Sequence, residues 1–475
     1  MTEQLSVPAA IIDGVAVETD DRIEVVDPFT NTVIGSTGQA DAGIVGDAVA
    51  SAVAAQRAWA DTSVGTRADI LRRTADAFEQ NGNAIPNLVT SEMGMPTALA
   101  TATQQVMPAA VLRAMADTAK AFPWRSHADG AELQHVPAGV IAAITPWNMP
   151  VHQIIAKVSA AFATGCAVVL KPSEMTPFDA VRVRELFIAA GLPEGVFAIV
   201  NGTGRDVGAT LAARPGIAHV SFTGSVAAGK AVAAAAASTL ARTTLELGGK
   251  SPAVVLPDAD LQQVIPRVIA SGLVNSGQAC NATTRLVLPR AHAAEIESLI
   301  VESVSTIRLG DPRDRSTVMG PLASRRQAER VLDHIGKARA DGGNLLTGTG
   351  DAVTIGASDN FIAPTVITGL EPTAHAVREE IFGPVLVVQY YDDVAGAVEI
   401  ANDCDYGLSA EVWSSSPGAA KDVAAALDVG QVKVNGVRTR ERPAVPFGGV
   451  KQSGYGRELG AAGLSEFTEI RAVMS

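Results

Sequence analysis

The stretch His219-Val-Ser-Phe-Thr-Gly-Ser-Val-Ala-Ala-Gly229 decides the fold of this chain. It opens with a short, mostly apolar run that is typical of a strand buried on both faces, and it leads through a glycine into an alanine-rich helix. Similar runs recur at Gly139–Ile144, Ala167–Leu170, Phe197–Val200 and Ala253–Leu256. Helical patterns lie between these runs, for example at Pro177–Ala190 and Gly229–Leu240. This alternation predicts an α/β fold with a doubly wound parallel sheet.

The second half of the chain repeats the alternation with different residues. Strands are expected at Leu286–Leu288 and Val385–Tyr391. Helices are expected at Leu261–Ser271, Ala291–Ile307 and Val394–Ala401. Outside this pattern, the sequence predicts a small insertion at Ala121–Gln134 and an extended arm at Leu464–Val473. No long low-complexity linker separates the halves, so we expect an extensive interface between them.

Composition excludes several classes of function. The 475 residues include 37 basic and 50 acidic side chains, and the net charge of −13 argues against a nucleic-acid surface or a basic membrane patch. The longest uncharged apolar segments, Val158–Leu170 and Ala231–Ala241, are shorter than the roughly 20 residues that span a bilayer. The N-terminus has no basic and apolar leader pattern. Three widely separated cysteines favour a reducing cytoplasm over a disulfide framework.

Two residues are candidates for covalent and acid–base chemistry. Cys280 lies in Asn-Ser-Gly-Gln-Ala-Cys-Asn, on an expected turn between a helix and a strand, where a thiol with a lowered pKa would be a strong nucleophile. Glu246 lies between leucines, where burial would raise its pKa and suit it to act as a base. The alternatives are a small core cysteine, which Cys166 fits, and a strand-end glutamate in a surface pair.

Polar and glycine-rich turns follow several expected strands. Gly224–Gly229 and Asn201–Gly208 place backbone N–H groups where a pyrophosphate could bind, although neither matches the usual dinucleotide fingerprint. Asn148, in Thr-Pro-Trp-Asn, carries an amide suited to an oxyanion. Lys171 and Glu174, in Lys-Pro-Ser-Glu, follow another strand, at the edge where open α/β sheets bind ligands. The alternative for each is a capped turn with solvated charges.

Taken together, these motifs resemble one family. The segments PWN, KPSE, FTGS, ELGGKSP, GQAC, EEIFGP and PFGGVKQSGYGRE occur in this order. In this respect the sequence resembles the aldehyde dehydrogenase superfamily from about Ile23 to nearly the last residue. The resemblance implies NAD(P)-dependent oxidation of an aldehyde to the carboxylic acid through a cysteine thiohemiacetal, hydride transfer and thioester hydrolysis.

The resemblance also implies roles for individual residues. Catalysis would depend on Cys280 as nucleophile, Glu246 as hydrolytic base and Asn148 as oxyanion donor, with Lys157 and Glu458 as a pair that helps to relay protons. The cofactor-binding residues would be Ile144, Thr145, Pro146, Trp147, Lys171, Ser173, Glu174, Gly204, Gly208, Phe222, Gly224, Ser225, Leu247, Gly248, Glu380 and Phe382. The substrate pocket would include Met149, His152, Ala279, Asn281, Asn435 and Phe447.

Some implied features select among members of the family. A carboxylate at Glu174 disfavours a 2′-phosphate on the adenosine ribose, so NAD is favoured over NADP. Val226 stands where many relatives carry threonine, which removes one polar contact to the pyrophosphate. Met149 and Ala156 replace bulky rings of relatives with aromatic tunnels, which suggests a roomier, partly polar pocket. No metal site is expected, because the seven histidines form no pair with ligand spacing.

The domain organisation implied by the resemblance has three parts. A Rossmann-type NAD-binding domain would comprise residues 1–117 and 139–247, and an α/β catalytic domain residues 248–447. A small β oligomerisation arm would comprise residues 118–138 and 448–475 and would pair subunits into a homodimer or homotetramer. Two alternatives remain: a coenzyme A-acylating enzyme, whose relatives commonly lack the glutamate at Glu246, and a non-catalytic structural paralogue, against which the intact Cys280, Glu246 and Asn148 argue.

Overall fold

The computed structural model describes residues 4–437 and 442–474. Four of the five apolar runs lie in one eight-stranded sheet, whereas Ala253–Leu256 belongs to a second sheet. In the first sheet the five central strands are parallel and the outer three are antiparallel to their neighbours. In spatial order the strands are β24 (Gly454–Tyr455), β12 (Arg242–Glu246), β11 (Ile217–Thr223), β8 (Val140–Ile144), β9 (Ala167–Lys171), β10 (Phe197–Val200), β2 (Ala10–Ile12) and β3 (Val15–Val17).

The order of the parallel strands creates a crevice. From β8 the chain passes to β9 and β10 on one side and then returns to β11 and β12 on the other. Ligands of open α/β sheets bind outside the carboxyl ends of the strands at such a reversal, here next to β8 and β11. The doubly wound parallel sheet predicted from the sequence is confirmed.

Helices cover both faces of this sheet and extend beyond it. Several begin at a side chain that accepts a backbone N–H of the first turn, as Asp41, Ser63 and Ser225 do. The helices of this region are α1 (Ala42–Ala60), α2 (Val64–Gln80), α3 (Ala84–Met93), α4 (Thr97–Ala100), α5 (Met107–Ala121), α6 (Pro150–Thr164), α7 (Pro177–Ala189), α8 (Ala209–Ala212) and α9 (Val226–Ala237). Short π-helical segments lie at Thr101–Val106 and Gly204–Gly208, and a 3₁₀ turn at Glu194–Val196.

The second half forms a seven-stranded sheet, parallel except for β15 at one edge. Its strands in order are β15 (Asn344–Thr347), β18 (Thr365–Thr368), β19 (Val385–Tyr391), β14 (Arg285–Pro289), β13 (Pro252–Val255), β21 (Ser409–Trp413) and β22 (Gln431–Val434). The accompanying helices are α10 (Leu261–Gly272), α11 (Ala293–Ser305, after a 3₁₀ turn at Arg290–His292), α12 (Arg325–Ala340), α13 (His375–Arg378), α14 (Val394–Asn402) and α15 (Pro417–Ala425).

Smaller sheets complete the described part of the chain. They are β1 (Leu5–Val7) with β5 (Thr32–Gly38) and β4 (Arg22–Asp27), β16 (Ala352–Ile355) with β17 (Ser358–Ile362), β20 (Tyr406–Gly407) with β23 (Val450–Lys451), and β25 (Thr468–Val473) with β7 (Ala131–Pro137) and β6 (Arg125–Ala128). The predicted insertion at Ala121–Gln134 thus contributes a hairpin that pairs with the end of the chain.

The C-terminal segment differs from the expected extended arm over Leu464–Val473. Only its second part is a strand, because Gly460–Glu466 forms a helix, α16. Leu464 is fully buried there, and α16 packs against α5 and α6, so apolar burial favours the helix at this point. No helix in the described ranges is long and apolar enough to cross a membrane.

Candidate active site

The two large sheets meet end to end at the site. β12 ends at Glu246, and only the turn Leu247–Ser251 separates it from β13 of the second sheet. Cys280 precedes β14, the neighbour of β13, by a few residues. The carboxyl ends of the first sheet therefore face the amino ends of the second. In this way the fold brings together residues from sequence segments far apart.

The turn that carries Cys280 has an unusual backbone. Asn275, Ser276 and Gly277 all have left-handed conformations, with φ of 51°, 57° and 74°. Side-chain bonds hold the two non-glycine residues: Gln278 Nε2 donates to Asn275 O at 3.1 Å, and Ser276 Oγ donates to Gly320 O at 2.8 Å. A side chain at Gly277 would collide with the carbonyl of Gly383. The turn is thus fixed from several sides, and strain of this kind is concentrated at functional sites.

The electrostatic environment of Cys280 keeps its thiol protonated. Burial, followed by the negative charges of Glu380, Glu246 and Glu458, raises the pKa of Cys280 to about 12. The lowered pKa that would make the thiol a strong nucleophile is therefore not present in the protein without ligands. A nearby base, or a positive charge brought by a ligand, is needed to form the thiolate.

Glu246 is buried and unpaired. Its side chain is 2% exposed, and neither carboxyl oxygen has a hydrogen-bond partner among the residues that the structure describes. Burial, followed by the charge of Glu458, raises its pKa, while Lys157 and Arg457 act in the opposite direction. A Cβ at Gly448 would lie 2.7 Å from Glu246 Oε1, so this glycine keeps the space beside the carboxyl free. The alternative of a glutamate in a surface pair is wrong.

Lys157 and Glu458 form a buried ion pair whose charges both influence the pKa of Glu246. Lys157 Nζ donates to Glu458 Oε1 and, at 2.6 Å, to Thr223 Oγ1. Glu458 itself is held by two backbone bonds with Phe447, in which each residue's N–H donates to the other's carbonyl. The structure thus pairs the two residues that sequence reasoning assigned to a proton relay. It adds Thr223, which sequence reasoning missed.

Asn148 follows β8 and approaches the Cys280 turn. The side-chain Nδ2 of Asn148 donates to Gln278 O at 2.9 Å, and the backbone carbonyl of Asn148 accepts from Asn275 Nδ2 at 3.0 Å. A side-chain amide has two N–H groups, so one remains for a ligand oxygen. The arrangement fits a donor to an oxyanion formed at Cys280.

The crevice outside β8, β9 and β11 fits a dinucleotide. Ser225 caps α9 by accepting Ala228 N, which leaves the N-terminus of this 12-residue helix facing the crevice. A Cβ at Gly224 would lie 2.6 Å from the Phe222 ring, so only glycine permits this close turn. Lys171 Nζ donates to Glu174 Oε2 at 3.0 Å, and burial lowers the pKa of Lys171.

The opposite wall of the crevice comes from the second sheet. Glu380 Oε1 accepts from Gly249 N at 3.1 Å, and burial raises the pKa of Glu380 to about 7. Its carboxyl packs directly against Gly248. Phe382 contacts Trp147 edge to face, with ring centroids 5.5 Å apart. A carboxyl on a glycine backbone suits a ribose hydroxyl, and the neighbouring pair of aromatic rings suits a flat heterocycle.

The other predicted cofactor residues lie around the same edge. Ser173 Oγ accepts Met175 N within the turn after β9, and Leu247 packs on the first turn of α9, where a Cβ at Gly229 would lie 2.5 Å from it. Ile144, Thr145 and Pro146 continue from the end of β8. Gly204 and Gly208 bound the π-helical segment after β10, and a Cβ at either would meet no neighbour within 4 Å. Nothing in their surroundings requires glycine.

We call the residues predicted to line the substrate pocket the uncharged wall, because none of them carries a charge. Gln104, in the π-helical segment, accepts from His152 N at 3.1 Å and donates to Met149 Sδ at 3.1 Å. Burial lowers the pKa of His152 to about 4, so its ring is neutral. Ala279 and Phe447 are buried, and Asn281 is half-buried. Sequence reasoning missed Gln104, although π-helical segments often mark functional sites.

Asn435 is engaged elsewhere. Its Oδ1 accepts from Ser414 N and its Nδ2 donates to Ser414 O, both at 3.0 Å. Its position in the substrate pocket stays a prediction. His334 and His375, which lie far apart in sequence, are in contact at 3.0 Å between ring nitrogens. Over residues 4–437 and 442–474, however, no group of three or more His, Cys, Asp or Glu side chains is arranged for a metal ion.

A thiol on a rigid turn, an unpaired buried carboxyl and a crevice for a dinucleotide define an enzyme with a covalent intermediate and a nucleotide cofactor. Comparison with known proteins gives the same class. Residues 15–473 match the model of the aldehyde dehydrogenase family. The chain is 41% identical over 452 residues, 95% of its length and 94% of the relative's, to a 3-succinoylsemialdehyde-pyridine dehydrogenase of a Pseudomonas species.

Solved structures agree over almost the whole chain. An aldehyde dehydrogenase C of Pseudomonas syringae, a cysteine-to-alanine mutant in complex with NAD+ and octanal, superposes with a TM-score of 0.96 at 39% identity, covering 98% of this chain and 96% of the other. The NAD+ complex of an aldehyde dehydrogenase from Bacillus cereus gives 0.93 at 34% identity, with 98% and 96% covered. The chain belongs to the aldehyde dehydrogenase family. The predicted class, an oxidoreductase acting on aldehydes, is confirmed.

Proposed function

We propose that this protein oxidises an uncharged aldehyde to the carboxylic acid with NAD+, with Cys280 as nucleophile and Glu246 as the base that activates water. One observation carries the assignment of roles. The thiol, the unpaired carboxyl and the free amide N–H of Asn148 converge at the junction of the two sheets. These are the groups needed to form, stabilise and hydrolyse a thioester.

Cys280 Sγ attacks the carbonyl carbon of the aldehyde, and its proton leaves to a base. Glu246 lies close enough to raise the pKa of the thiol, and its buried carboxylate is suited to accept that proton. The carbonyl oxygen becomes an oxyanion, to which Asn148 donates the N–H that Gln278 O does not use. Because the donor is already oriented by the Asn275 and Gln278 bonds, little reorganisation is needed when the charge forms.

NAD+, when bound, supplies the hydride acceptor for the oxidation step. Ser225 and the N-terminus of α9 suit its pyrophosphate, Lys171 and Glu174 the adenosine ribose, and Glu380 the nicotinamide ribose. The Glu174 carboxylate would repel a 2′-phosphate, which supports NAD rather than NADP. Relatives of similar length are known as NAD+ complexes.

Hydrolysis completes the reaction. Once Glu246 has lost the thiol proton to solvent, its carboxylate removes a proton from water and the resulting hydroxide attacks the thioester carbonyl. The C–S bond then breaks, the acid leaves, and the Cys280 thiolate regains a proton from Glu246. A raised pKa makes the carboxylate a stronger base but reduces the fraction that is ionised at neutral pH. Retention of this carboxyl favours hydrolysis over transfer to coenzyme A.

The uncharged wall supports an uncharged aldehyde as substrate. Met149, Ala279 and Phe447 are apolar, and His152 is neutral at physiological pH. A charged group of the substrate would lose its hydration against this wall without gaining a partner. The relatives include a protein bound to octanal and one named for a pyridine semialdehyde.

The test is a spectrophotometric screen of NADH formation over straight-chain, aromatic and charged aldehydes, with NAD and NADP in parallel. We expect turnover with uncharged aldehydes and a preference for NAD of about tenfold or more, the size of one unfavourable charge contact. The product should be the free acid whether or not coenzyme A is present. Absence of NADH with every aldehyde, or an acyl-coenzyme A product, would contradict the proposal.

We also propose that the protein is a cytoplasmic homodimer or homotetramer. The sheet formed by β6, β7 and β25 supports oligomerisation, because it presents apolar side chains such as Ile470, 64% exposed, near the C-terminus. The three cysteines are unpaired, which fits a reducing compartment. Light scattering coupled to size-exclusion chromatography would measure the assembly, and a monomer at micromolar concentration would contradict it.

A further inference from the structure

A chain of hydrogen bonds extends the buried ion pair beyond the residues assigned so far. Lys157 Nζ donates to Thr223 Oγ1 at 2.6 Å, and Thr223 Oγ1 donates to Gln153 Oε1 at 3.1 Å. Gln153 lies one turn before Lys157 on the same face of α6. Thr223 is the last residue of β11, and its side chain bridges the helix and the sheet. The bonds therefore connect α6, β11 and Glu458, which lies just before α16.

The direction of these bonds is determined by chemistry. A lysine amine has only donors toward its partners, so the Thr223 oxygen must accept from it. The single hydroxyl proton of Thr223 is then free to point to Gln153, whose carbonyl oxygen can only accept. Gln153 thus orients the hydroxyl, and the hydroxyl orients Lys157. All the side chains involved are at least nine-tenths buried, so water does not compete strongly for these bonds.

We propose that Thr223 and Gln153 are positioning residues that hold Lys157 against Glu458 and thereby set the protonation of Glu246 during thioester hydrolysis. The proposal rests on the proposed role of Glu246 as the hydrolytic base. Glu246 has no hydrogen-bond partner within the described residues, so its ionisation depends on nearby charges rather than on direct bonds. Lys157 favours the ionised form of Glu246, and Glu458 opposes it.

Other groups that face this cluster do not replace Lys157. Arg457 also favours the ionised form of Glu246, but less strongly than Lys157 does. The charge of Glu466 opposes ionisation of Glu246. His152 and His219 face Lys157 from α6 and β11, and burial lowers their pKa values to about 4 and about 3. Both rings are therefore neutral across the pH range of the reaction. Cys280 faces Glu246 as an uncharged thiol, because burial raises its pKa.

Loss of the Thr223 hydroxyl should therefore change how hydrolysis depends on pH. Without this acceptor, Lys157 is held less firmly, its effect on Glu246 weakens, and a higher pH is needed to ionise Glu246. Thr223→Val keeps the shape of the side chain but removes the bond, while Thr223→Ser keeps the hydroxyl. Ser221→Ala is the matched control, because Ser221 is fully buried on the same strand and its hydroxyl has no partner in the described part of the chain.

Hydrolysis of p-nitrophenyl acetate measures the step without cofactor. A fast release of nitrophenolate reports acylation of Cys280, and the steady rate that follows reports thioester hydrolysis. For Thr223→Val we expect the acid limb of the steady rate to move up by roughly one pH unit, the effect of one hydrogen bond to a charged group, with little change in the burst. Thr223→Ser and Ser221→Ala should keep the wild-type limb. Gln153→Leu should move it in the same direction as Thr223→Val, but less.

Three results would overturn the proposal. The first is an acid limb of the steady rate in Thr223→Val that lies at the same pH as in wild type, and the second is an equal shift of that limb in Thr223→Ser or Ser221→Ala. The third is a change in Thr223→Val that is confined to the KM for NAD+ in the NADH assay, which would mean that Thr223 acts through the neighbouring Gly224 turn. Failure of the proposed function is a separate result. In that case the wild-type enzyme would show no NADH formation, or its ester hydrolysis would persist in Cys280→Ala.

Discussion

Two regions of the molecule contain buried carboxyl groups whose pKa values are raised. Of these two regions, only the junction of the sheets also contains the proposed nucleophile. At the junction of the sheets, burial raises the pKa of Glu246. Near the N-terminus of α7, burial raises the pKa values of two neighbouring carboxyls, Glu92 and Asp179. If only the raised pKa values are compared, the two regions are equivalent candidates for acid–base chemistry.

Their surroundings separate them. The oxygens of Glu92 accept from Phe178 N at 2.8 Å and Asp179 N at 3.3 Å, at the N-terminus of α7. These bonds favour ionised Glu92, whereas burial and the charge of Asp179 act against it. Glu246 instead has no bonded partner among the described residues, and its charge raises the pKa of the Cys280 thiol. A raised pKa therefore marks burial, and the groups that a carboxyl faces determine whether the burial serves chemistry.

The largest expected effect comes from removing the nucleophile. Cys280→Ala should reduce NADH formation by more than about 10³-fold, because no other group replaces a covalent nucleophile. NAD+ binding, measured by calorimetry, should be retained, since the thiol is not among the groups proposed to hold the cofactor. Cys404→Ala is the control, because Cys404 is a free cysteine that lies outside the site. Substantial turnover by Cys280→Ala would reassign the nucleophile.

Replacing carboxyls by amides tests the comparison directly. Glu246→Gln should leave a burst of NADH but lower the steady rate by about 10²–10⁴-fold, the contribution of a general base. Asp179→Asn makes the same chemical change in the other region and should leave both phases as in wild type. Stopped-flow absorbance at 340 nm separates the phases. If both variants lose the steady phase equally, the two regions are not functionally distinct.

The protonation of Cys280 gives a smaller effect. Because burial raises its pKa to about 12, with Glu380, Glu246 and Glu458 adding to the shift, alkylation of the free enzyme by iodoacetamide should be slow at pH 7. Below that pKa the thiolate fraction, and with it the rate, should rise about tenfold per pH unit. Glu380→Gln removes one negative charge and should accelerate alkylation at neutral pH. A rate that is independent of pH between 7 and 9 would show that Cys280 is already ionised.

Local pattern predicted the elements that carry the site. Apolar runs located β8, β9, β10 and β11 within a few residues, because strands buried on both faces leave a continuous apolar signal. Cys280, Glu246 and Asn148 were selected from short motifs at the ends of such strands. A turn after a strand is visible in one sequence window, and so is the edge of the sheet at which it lies.

Contacts between distant segments were not predictable in this way. Thr223 and Gln153 bond to each other only because β11 and α6 pack together, and neither residue type signals such a bond on its own. Gln104 reaches Met149 from a π-helical segment that sequence periodicity did not indicate. The direction of the Cys280 pKa shift also escaped prediction, because it depends on burial and on three carboxyls from separate parts of the chain.

The smallest effect concerns stability and the region without a nucleophile. The folded-state pKa of the Glu92–Asp179 pair lies above its unfolded value, so the folded protein binds more protons between these two values and its stability falls as pH rises through that window. The loss is about 1.4 kcal/mol for each unit of the shift. Asp179→Asn removes one of the two buried carboxyls that must ionise, so from the unfolded value of about 4 upward urea unfolding should depend less on pH than in wild type. An unchanged or steeper dependence would show that the pKa of Asp179 is not raised in the folded protein.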